Sequence, residues 1–259
     1  MSIASLIDPV TAAGGPASLS HAEHWMQGRT LYGGASALVA YTAAIRAFPE
    51  LPPLRAAQIA FVAPVGGEIE LRREIVRQGR NVAQVRSEIW AGGACALTAF
   101  WLFGTSREPN ALHPAATPDD WPGGPGEAET VMADKGPAFI RHNFELRRAQ
   151  DERGPGAPVV RRWARLTERG VLDPVSELIL MGDVLPPGAM RAMQRQGPVS
   201  SINWSFNLLD TDPATADGWW LSENASQHAD DGYSSERLRL WNAEGRQVLE
   251  GMQAAAIFG

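Results

Sequence analysis

The sequence RTLYGGASALVAY, from Arg29 to Tyr41, contains the first clear structural element of the chain. Between Leu31 and Phe48, apolar side chains recur every three or four residues, which is the spacing of one buried helical face. Pro49 directly follows, and two further prolines stand close behind it, so the helix must end there. The stretch predicts one long helix that starts at a pair of glycines.

Four strand-like segments follow this helix. Their apolar residues alternate with polar ones or run almost continuously, as they do in half-buried and buried strands. The segments are residues 55–63, 68–76, 81–90 and 95–103. One helix followed by consecutive strands indicates an α+β unit and not alternating βαβ units.

The second half of the chain repeats this order. A strand-like segment (159–167) and a short helix (175–182) precede strand-like segments at 200–209, 218–227, 234–241 and 248–258. RNVAQVRSEIW (80–90) and GYSSERLRLW (232–241) share a turn, a polar–apolar alternation and a closing tryptophan. The similarity indicates an internal duplication, although two unrelated meanders can also look alike.

A segment rich in proline and glycine separates the halves. Residues 105–136 have little apolar periodicity and include the run PGGPG, which is typical of a linker on the surface. We therefore predict an N-terminal domain at 1–104, a linker at 105–136 and a C-terminal domain at 137–259.

Composition narrows the function classes. The chain has 259 residues, 44% hydrophobic and 20% charged, which is typical of a folded globular protein and excludes wholesale disorder. A net charge of −6 argues against nucleic acid as the main partner. No segment has the apolar length of a membrane span. Cys95 is the only cysteine, so an internal disulfide is excluded, and we expect a cytoplasmic protein.

Several common catalytic and binding motifs are absent from the sequence. It contains no G-x-S-x-G, no H-E-x-x-H and no P-loop, and GGPG at 123–126 has no strand before it. His21 and His24 lie close together, but no third ligand is near and the segment looks like a strand, so we predict no metal and no other cofactor. Trp219 and Trp220 should lie on opposite sheet faces. Most tryptophans are core or interface anchors, and the outer ring of this pair could line an acyl pocket or a subunit contact.

Two stretches carry a resemblance to a known family. RTLYGGASALVAY and AAQIAFVAPVGGEIELRREIVRQGRNVAQVRSEIW resemble the first hot-dog of the acyl-CoA thioesterase II family. LMGDVLPP, SSINWSF and GRQVLEGMQAAAIF stand where that family has its second hot-dog. The resemblance implies a double hot-dog fold, two helix-plus-antiparallel-sheet units, with the sheets joined edge to edge.

The resemblance also implies a site. That family holds a hydrolytic water with an Asp, a Thr and a Gln, and the matching residues here are Asp183, Ser201 and Gln253. Ser201 keeps the hydroxyl of the family's threonine, and Asn203 stands where the family often has Asp.

Two interpretations stay open for each of these residues. An aspartate among apolar neighbours is expected to have a raised pKa suited to a general base, but Asp183 could instead cap the turn before Pro186. Gln253, inside an apolar strand, needs a partner for structural or for catalytic reasons.

The helix start is the candidate substrate-binding element. Tyr32, Gly33 and Gly34 precede or open the long helix, and free N–H groups in a first helical turn attract negative charge. The same glycines could simply allow close packing. We expect them to polarise the thioester carbonyl, with the acyl chain held between the two halves.

The predicted function is hydrolysis of acyl-CoA to free acid and CoA by a water activated by a carboxylate. Two alternatives remain. A hydratase or dehydratase on this fold would need a histidine–carboxylate pair, for which His142 and His228 are available. A protein that binds acyl-CoA without catalysis would tolerate the changes at Ser201 and Asn203. Exposed strand edges also predict a homo-oligomer.

Overall fold

A computed structural model describes residues 2–115, 117–132 and 136–258. In the first half, the helices are α1 (Ala4–Ile7) and α2 (Gly33–Ala47), and the strands are β1 (Gly15–Ser18), β2 (Met26–Gln27), β3 (Thr30–Leu31), β4 (Leu54–Phe61), β5 (Glu68–Gln78), β6 (Val82–Ala91) and β7 (Ala94–Gly104). In the second half, the helices are α3 (Ala138–Asn143) and α4 (Pro174–Met181), and the strands are β8 (Phe144–Arg148), β9 (Val159–Leu166), β10 (Val199–Leu208), β11 (Trp220–Asp230), β12 (Tyr233–Asn242) and β13 (Gln247–Ile257). Short 3₁₀ turns lie at Glu23–Trp25, Gly188–Ala192 and Ala216–Gly218.

One antiparallel sheet of 11 strands runs through the molecule, in the order β1-β5-β6-β7-β4-β10-β13-β12-β11-β9-β8. The first half contributes the run β5-β6-β7-β4, and the second contributes β11-β12-β13-β10. Each run has the same connectivity, since the strand that follows the helix lies beside the last strand of its half. The predicted α+β fold of two tandem helix-plus-sheet units is confirmed.

The two halves meet at β4 and β10, which pair antiparallel from Ala60 opposite Asn203 to Ala56 opposite Asn207. This pairing confirms that the two sheets join edge to edge. Helices α2 and α4 contact each other on the same side of the sheet. The junction therefore brings the start of α2 close to the end of α4.

The helix predicted from the first quoted stretch is the centre of the N-terminal core. All residues from Gly34 to Ala44 of α2 are buried, and most of them are small. Small side chains let the helix backbone approach both the sheet and α4. The core on this side of the sheet is continuous through both halves.

The other sheet face of the second half carries a separate tryptophan cluster. Trp163, Trp219 and Trp241 are all buried there. The connecting segment covers them, since Trp121 packs edge-on against Trp163 and the Trp163 indole donates to the Gly123 carbonyl at 3.1 Å. Residues 121–123 of this segment are therefore docked on the C-terminal half, while the boundaries at residues 104 and 137 stay predictions.

Trp219 and Trp220 do lie on opposite faces, in the outer cluster and the main core respectively. The guanidinium groups of Arg147 and Arg165 lie over the Trp219 ring, at 4.8 and 4.4 Å from its centroid. The ring is 4% exposed. Trp219 is thus a packing residue, and the suggestion that it lines an acyl pocket is wrong.

Two other details differ from the sequence-based expectations. The segment around His24 is a 3₁₀ turn and not a strand. β1 and β8 have no clear alternation, and they form because neighbouring strands β5 and β9 offer free edges. In the described parts of the chain, no helix is both long and apolar enough to cross a membrane.

Candidate active site at the junction of the two halves

Asp183 lies two residues beyond the end of α4. Asp173 caps the start of this helix, accepting hydrogen bonds from the Val175 and Ser176 amides at 3.1 and 3.0 Å, and Pro174 follows it. Among the described residues, the carboxylate of Asp183 accepts a hydrogen bond from the Gln253 side chain and from no backbone amide at the turn. The capping interpretation of Asp183 is therefore wrong.

The side chain of Gln253 connects the other two predicted catalytic residues, Asp183 and Ser201. Its Nε2 donates to Oδ1 of Asp183 at 2.7 Å and to Oγ of Ser201 at 2.9 Å. The side chain is 2% exposed, and its Oε1 has no partner among the described residues. A buried amide oxygen without a partner is uncommon and is suited to accept a hydrogen bond from a bound molecule.

A β-bulge directs Ser201 into this group. Trp204, Phe206 and Leu208 of β10 are buried on the helix side of the sheet, so regular alternation would place Ile202 on that side and Ser201 on the other. The register against β13 shifts between Ser201 and Asn203. Ile202 is consequently 41% exposed, and Ser201 faces Gln253.

Gly33, the first residue of α2, completes the site from the other half. A Cβ atom built on Gly33 would lie 2.1 Å from Oδ2 of Asp183. Since only a glycine leaves this space free, the Asp183 carboxylate lies directly against the helix start. Gly33 therefore lies at the candidate site, and its contact with the thioester carbonyl stays a prediction.

Tyr32 and Gly34 have packing contacts at the same junction. The Tyr32 hydroxyl donates to the Leu180 carbonyl at 2.6 Å, and its ring stacks on Phe139 with centroids 4.1 Å apart. A Cβ on Gly34 would lie 2.4 Å from the Leu180 carbonyl oxygen. Both residues are fully covered, so the structure links α2 to α4 through them, and a direct contact of either with substrate stays a prediction.

Burial controls the charge of the site. Removal from solvent raises the pKa of Asp183 to about 7, and the hydrogen bond from Gln253 opposes this in part. Burial, and secondarily the charge of Asp183, raises the pKa of Tyr32 well above its usual value, so the phenol stays protonated. A carboxyl with a pKa of about 7 exchanges protons readily at neutral pH, as a general base must.

Two buried residues that the sequence analysis missed fix the segment after Asp183. The Asn224 amide donates to the Leu185 carbonyl at 2.9 Å. The Glu236 carboxylate, 0% exposed, accepts from the Gly188 amide at 2.7 Å. Their only sequence signal was a polar residue at an inward position of a strand. They hold the Asp183 backbone from its C-terminal side.

The histidines needed for a hydratase or dehydratase lie in other surroundings. The His142 ring stacks on His24 with centroids 4.0 Å apart, and His228 is exposed on β11. Asp183 is hydrogen bonded by an amide and not by an imidazole. Across the described ranges, no group of three or more His, Cys, Asp and Glu side chains is arranged to hold a metal ion.

The fold and site define a double hot-dog protein with a carboxylate, hydroxyl and amide group at the junction of its halves. Residues 21–104 match the family profile of the acyl-CoA thioesterase N-terminal domain, and residues 109–257 match that of the C-terminal domain. The chain belongs to the acyl-CoA thioesterase family and is a thioesterase. None of the curated proteins matches its sequence.

Solved structures agree with this fold. A candidate thioesterase II from Thermobifida fusca YX has a TM-score of 0.82 at 20% identity, over 99% of this chain and 97% of its own. A hot-dog protein of unknown function from Alicyclobacillus acidocaldarius has a TM-score of 0.82 at 18% identity, over 94% and 92%. The acyl-CoA thioesterase II TesB2 of Mycobacterium marinum has a TM-score of 0.72 at 17% identity, over 98% and 97%. At these identities the likeness establishes the fold.

Proposed function

We propose that the protein hydrolyses acyl-CoA thioesters with a water held by Asp183, Ser201 and Gln253. The observation that carries the proposal is the Gln253 amide, which bridges the Asp183 carboxylate and the Ser201 hydroxyl at 2.7 and 2.9 Å. These groups offer a proton acceptor, a hydroxyl and an amide oxygen that has no partner in the described parts of the chain.

In the proposed reaction, Asp183 removes a proton from the water as the water oxygen attacks the thioester carbonyl carbon. The carbonyl π electrons move to oxygen and form a tetrahedral oxyanion. When the oxyanion collapses, the C–S bond breaks and the free acid remains. CoA leaves as a thiolate and takes up the proton that Asp183 accepted, which returns Asp183 to its carboxylate form. Ser201 and Gln253 orient the water, and neither forms a bond to the acyl group.

The start of α2 supports the oxyanion in this proposal. The side chain of Tyr32, which precedes the helix, makes no capping hydrogen bond, so the first-turn amides depend on other partners. Those amides and the helix dipole favour negative charge close to Gly33. Preorganised donors of this kind contribute strongly to acyl transfer because the charge develops only in the transition state.

The test is thiol release from a panel of acyl-CoAs of different length and branching. The wild type is compared with Asp183→Asn and with Asp212→Asn, an exposed aspartate in the loop after β10. Loss of a general base should lower kcat by about 10²–10⁴-fold in Asp183→Asn, whereas Asp212→Asn should match the wild type.

Other functions would give different products in the same assay. A hydratase or dehydratase would change the acyl group and release no thiol, and a binding protein would retain acyl-CoA unchanged. A wild type that releases no thiol from any member of the panel would contradict the proposal.

We also propose that the protein is a cytoplasmic homo-oligomer. The sheet exposes large apolar side chains, including Phe100 at 43% and Met252 at 55%, and its single cysteine, Cys95, is free. Exposed apolar surface of this kind favours self-association. Light scattering on the purified protein tests the oligomeric state, and a monomer at micromolar concentration would contradict the proposed homo-oligomer. Fractionation of cells tests the proposed cytoplasmic location.

A further inference from the structure

We propose that Asn203 is a positioning residue: its side-chain amide holds the β-bulge that turns Ser201 into the candidate active site. This inference rests on the proposed function of Asp183, Ser201 and Gln253. It concerns a residue outside that group, since Asn203 is exposed on the opposite side of the sheet.

The bulge is defined by the strand register. Ser201 lies opposite Ala255 and Asn203 lies opposite Ala254, so Ile202 has no partner of its own in β13. An extra residue in one strand interrupts the regular exchange of backbone hydrogen bonds with the neighbouring strand. At this point the Ala254 amide donates to the Asn203 side-chain oxygen at 3.0 Å.

The position of this hydrogen bond connects it to two catalytic side chains. Asn203 is two residues beyond Ser201 in β10, and Ala254 is the residue after Gln253 in β13. The Ala254–Asn203 hydrogen bond therefore links β10 to β13 beside Ser201 and Gln253. The side chains of these two residues contact each other at 2.9 Å on the other face of the sheet. A change in strand spacing here changes the Ser201–Gln253 distance directly.

Without the side-chain acceptor, the regular register becomes a competing arrangement. A shift of one residue exchanges the two faces of a strand. Here it would turn Ile202 inward, beside Trp204, and carry the Ser201 hydroxyl away from Gln253. Asn203 opposes that shift by giving the Ala254 amide a partner that only the bulged register provides.

The experiment compares three variants in the full chain: Asn203→Ala, Asn203→Asp and the control Asn207→Ala. Asn207 is exposed on the same face of β10, beyond the bulge. Since small displacements of catalytic groups are costly, Asn203→Ala should lower kcat by about 10-fold with KM changed less than about 2-fold. Asn203→Asp keeps an oxygen acceptor and should restore most of kcat, and Asn207→Ala should match the wild type.

Two further measurements separate this role from a general structural one. In a Ser201→Ala background, Asn203→Ala should add less than about a 2-fold loss, because both changes act through the same hydroxyl. Hydrogen exchange at the Ala254 amide should be at least about 10-fold faster in folded Asn203→Ala than in Asn207→Ala. If Asn203→Ala does not fold, Asn203→Val, which suits a strand and has no hydrogen-bond acceptor, should show the same two effects.

Wild-type kcat and unchanged Ala254 exchange in a folded Asn203→Ala protein would overturn the inference. Failure of the proposed function has a different signature, namely full turnover by Asp183→Asn. In that case the Ala254 exchange still decides whether Asn203 holds the bulge.

Discussion

The carboxylate of Asp183, from the C-terminal half, lies against the backbone of Gly33, the first residue of a helix in the N-terminal half. A Cβ on Gly33 would lie 2.1 Å from Oδ2 of Asp183, and a Cβ on Gly34 would lie 2.4 Å from the Leu180 carbonyl oxygen. The two adjacent glycines therefore serve different needs. Gly33 leaves room for the carboxylate that we propose as the general base, and Gly34 leaves room for the backbone of α4.

Alanine substitutions should separate these two needs. Gly33→Ala displaces a side chain, so it should lower kcat by about 100-fold with little change in the free energy of unfolding. In Gly34→Ala the new methyl group overlaps the Leu180 carbonyl oxygen, a main-chain atom that cannot move without its helix. This overpacking should lower the free energy of unfolding by about 1–3 kcal/mol. Thiol release and urea titration of both variants check this; equal activity of Gly33→Ala and wild type would contradict the site geometry.

Tyr32→Phe should weaken the helix junction, and its KM tests whether Tyr32 also contacts substrate. It leaves the Leu180 carbonyl without its donor, which typically costs about 1–3 kcal/mol for a buried group. Tyr41→Phe on the same helix is the matched control, because the Tyr41 hydroxyl donates to no group in the described parts of the chain. Thermal unfolding and KM are measured for both. A raised KM with unchanged stability in Tyr32→Phe would show that the phenol contacts substrate instead.

The raised pKa of Asp183 makes stability depend on pH. A folded-state pKa of about 7 lies above that of a free aspartate, so the folded protein binds this proton more tightly than the unfolded chain does. The resulting stabilisation is complete below the unfolded-state pKa, about 3.9, and is lost as the pH rises through 7. Asp183→Asn removes the cost of burying the charge, so it should exceed the wild type in stability at pH 8 by roughly 1–4 kcal/mol.

Melting temperatures at pH 5 and pH 8 check that prediction. The difference between Asp183→Asn and wild type should grow from pH 5 to pH 8, and Asp212→Asn should show no such growth. A difference that is constant with pH would mean that the Asp183 carboxyl is ionised in both states.

Ser201 and Gln253 should act as a unit with Asp183. Ser201→Ala and Gln253→Ala should each lower kcat less than Asp183→Asn does, because each only orients the water. Combined with Asp183→Asn, either should add little, since residues that act on one water are not additive. Kinetics of the single and double variants measure this. Fully multiplicative losses would indicate separate roles.

The sequence predicted most of the fold because its signals are local. The apolar spacing from Leu31 to Phe48 and the strand alternations of both halves require no knowledge of the other half. The observed α2, Gly33–Ala47, and α4, Pro174–Met181, lie within a few residues of the predicted positions. Short β1 and β8 were missed because an edge strand is stabilised by its neighbour more than by its own pattern.

The site was only partly predictable. Asp183 and Gln253 stood out as polar residues in apolar surroundings, so burial and a partner could be expected for both. The alternation of Ile202, Trp204 and Phe206 predicts the wrong face for Ser201, because a bulge is not visible in a period-two pattern. The contact between Gly33 and Asp183 joins residues from different halves, which no local signal specifies.

The dependence of kcat/KM on pH, measured for wild type on an acyl-CoA that it cleaves, tests the central claim most directly. If Asp183 is the base, only its ionised form is active, so kcat/KM should rise tenfold per pH unit below an inflection near 7 and level off above it. The residual activity of Asp183→Asn should lack that inflection. A wild-type profile that is flat from pH 5 to pH 9 would contradict water activation by Asp183.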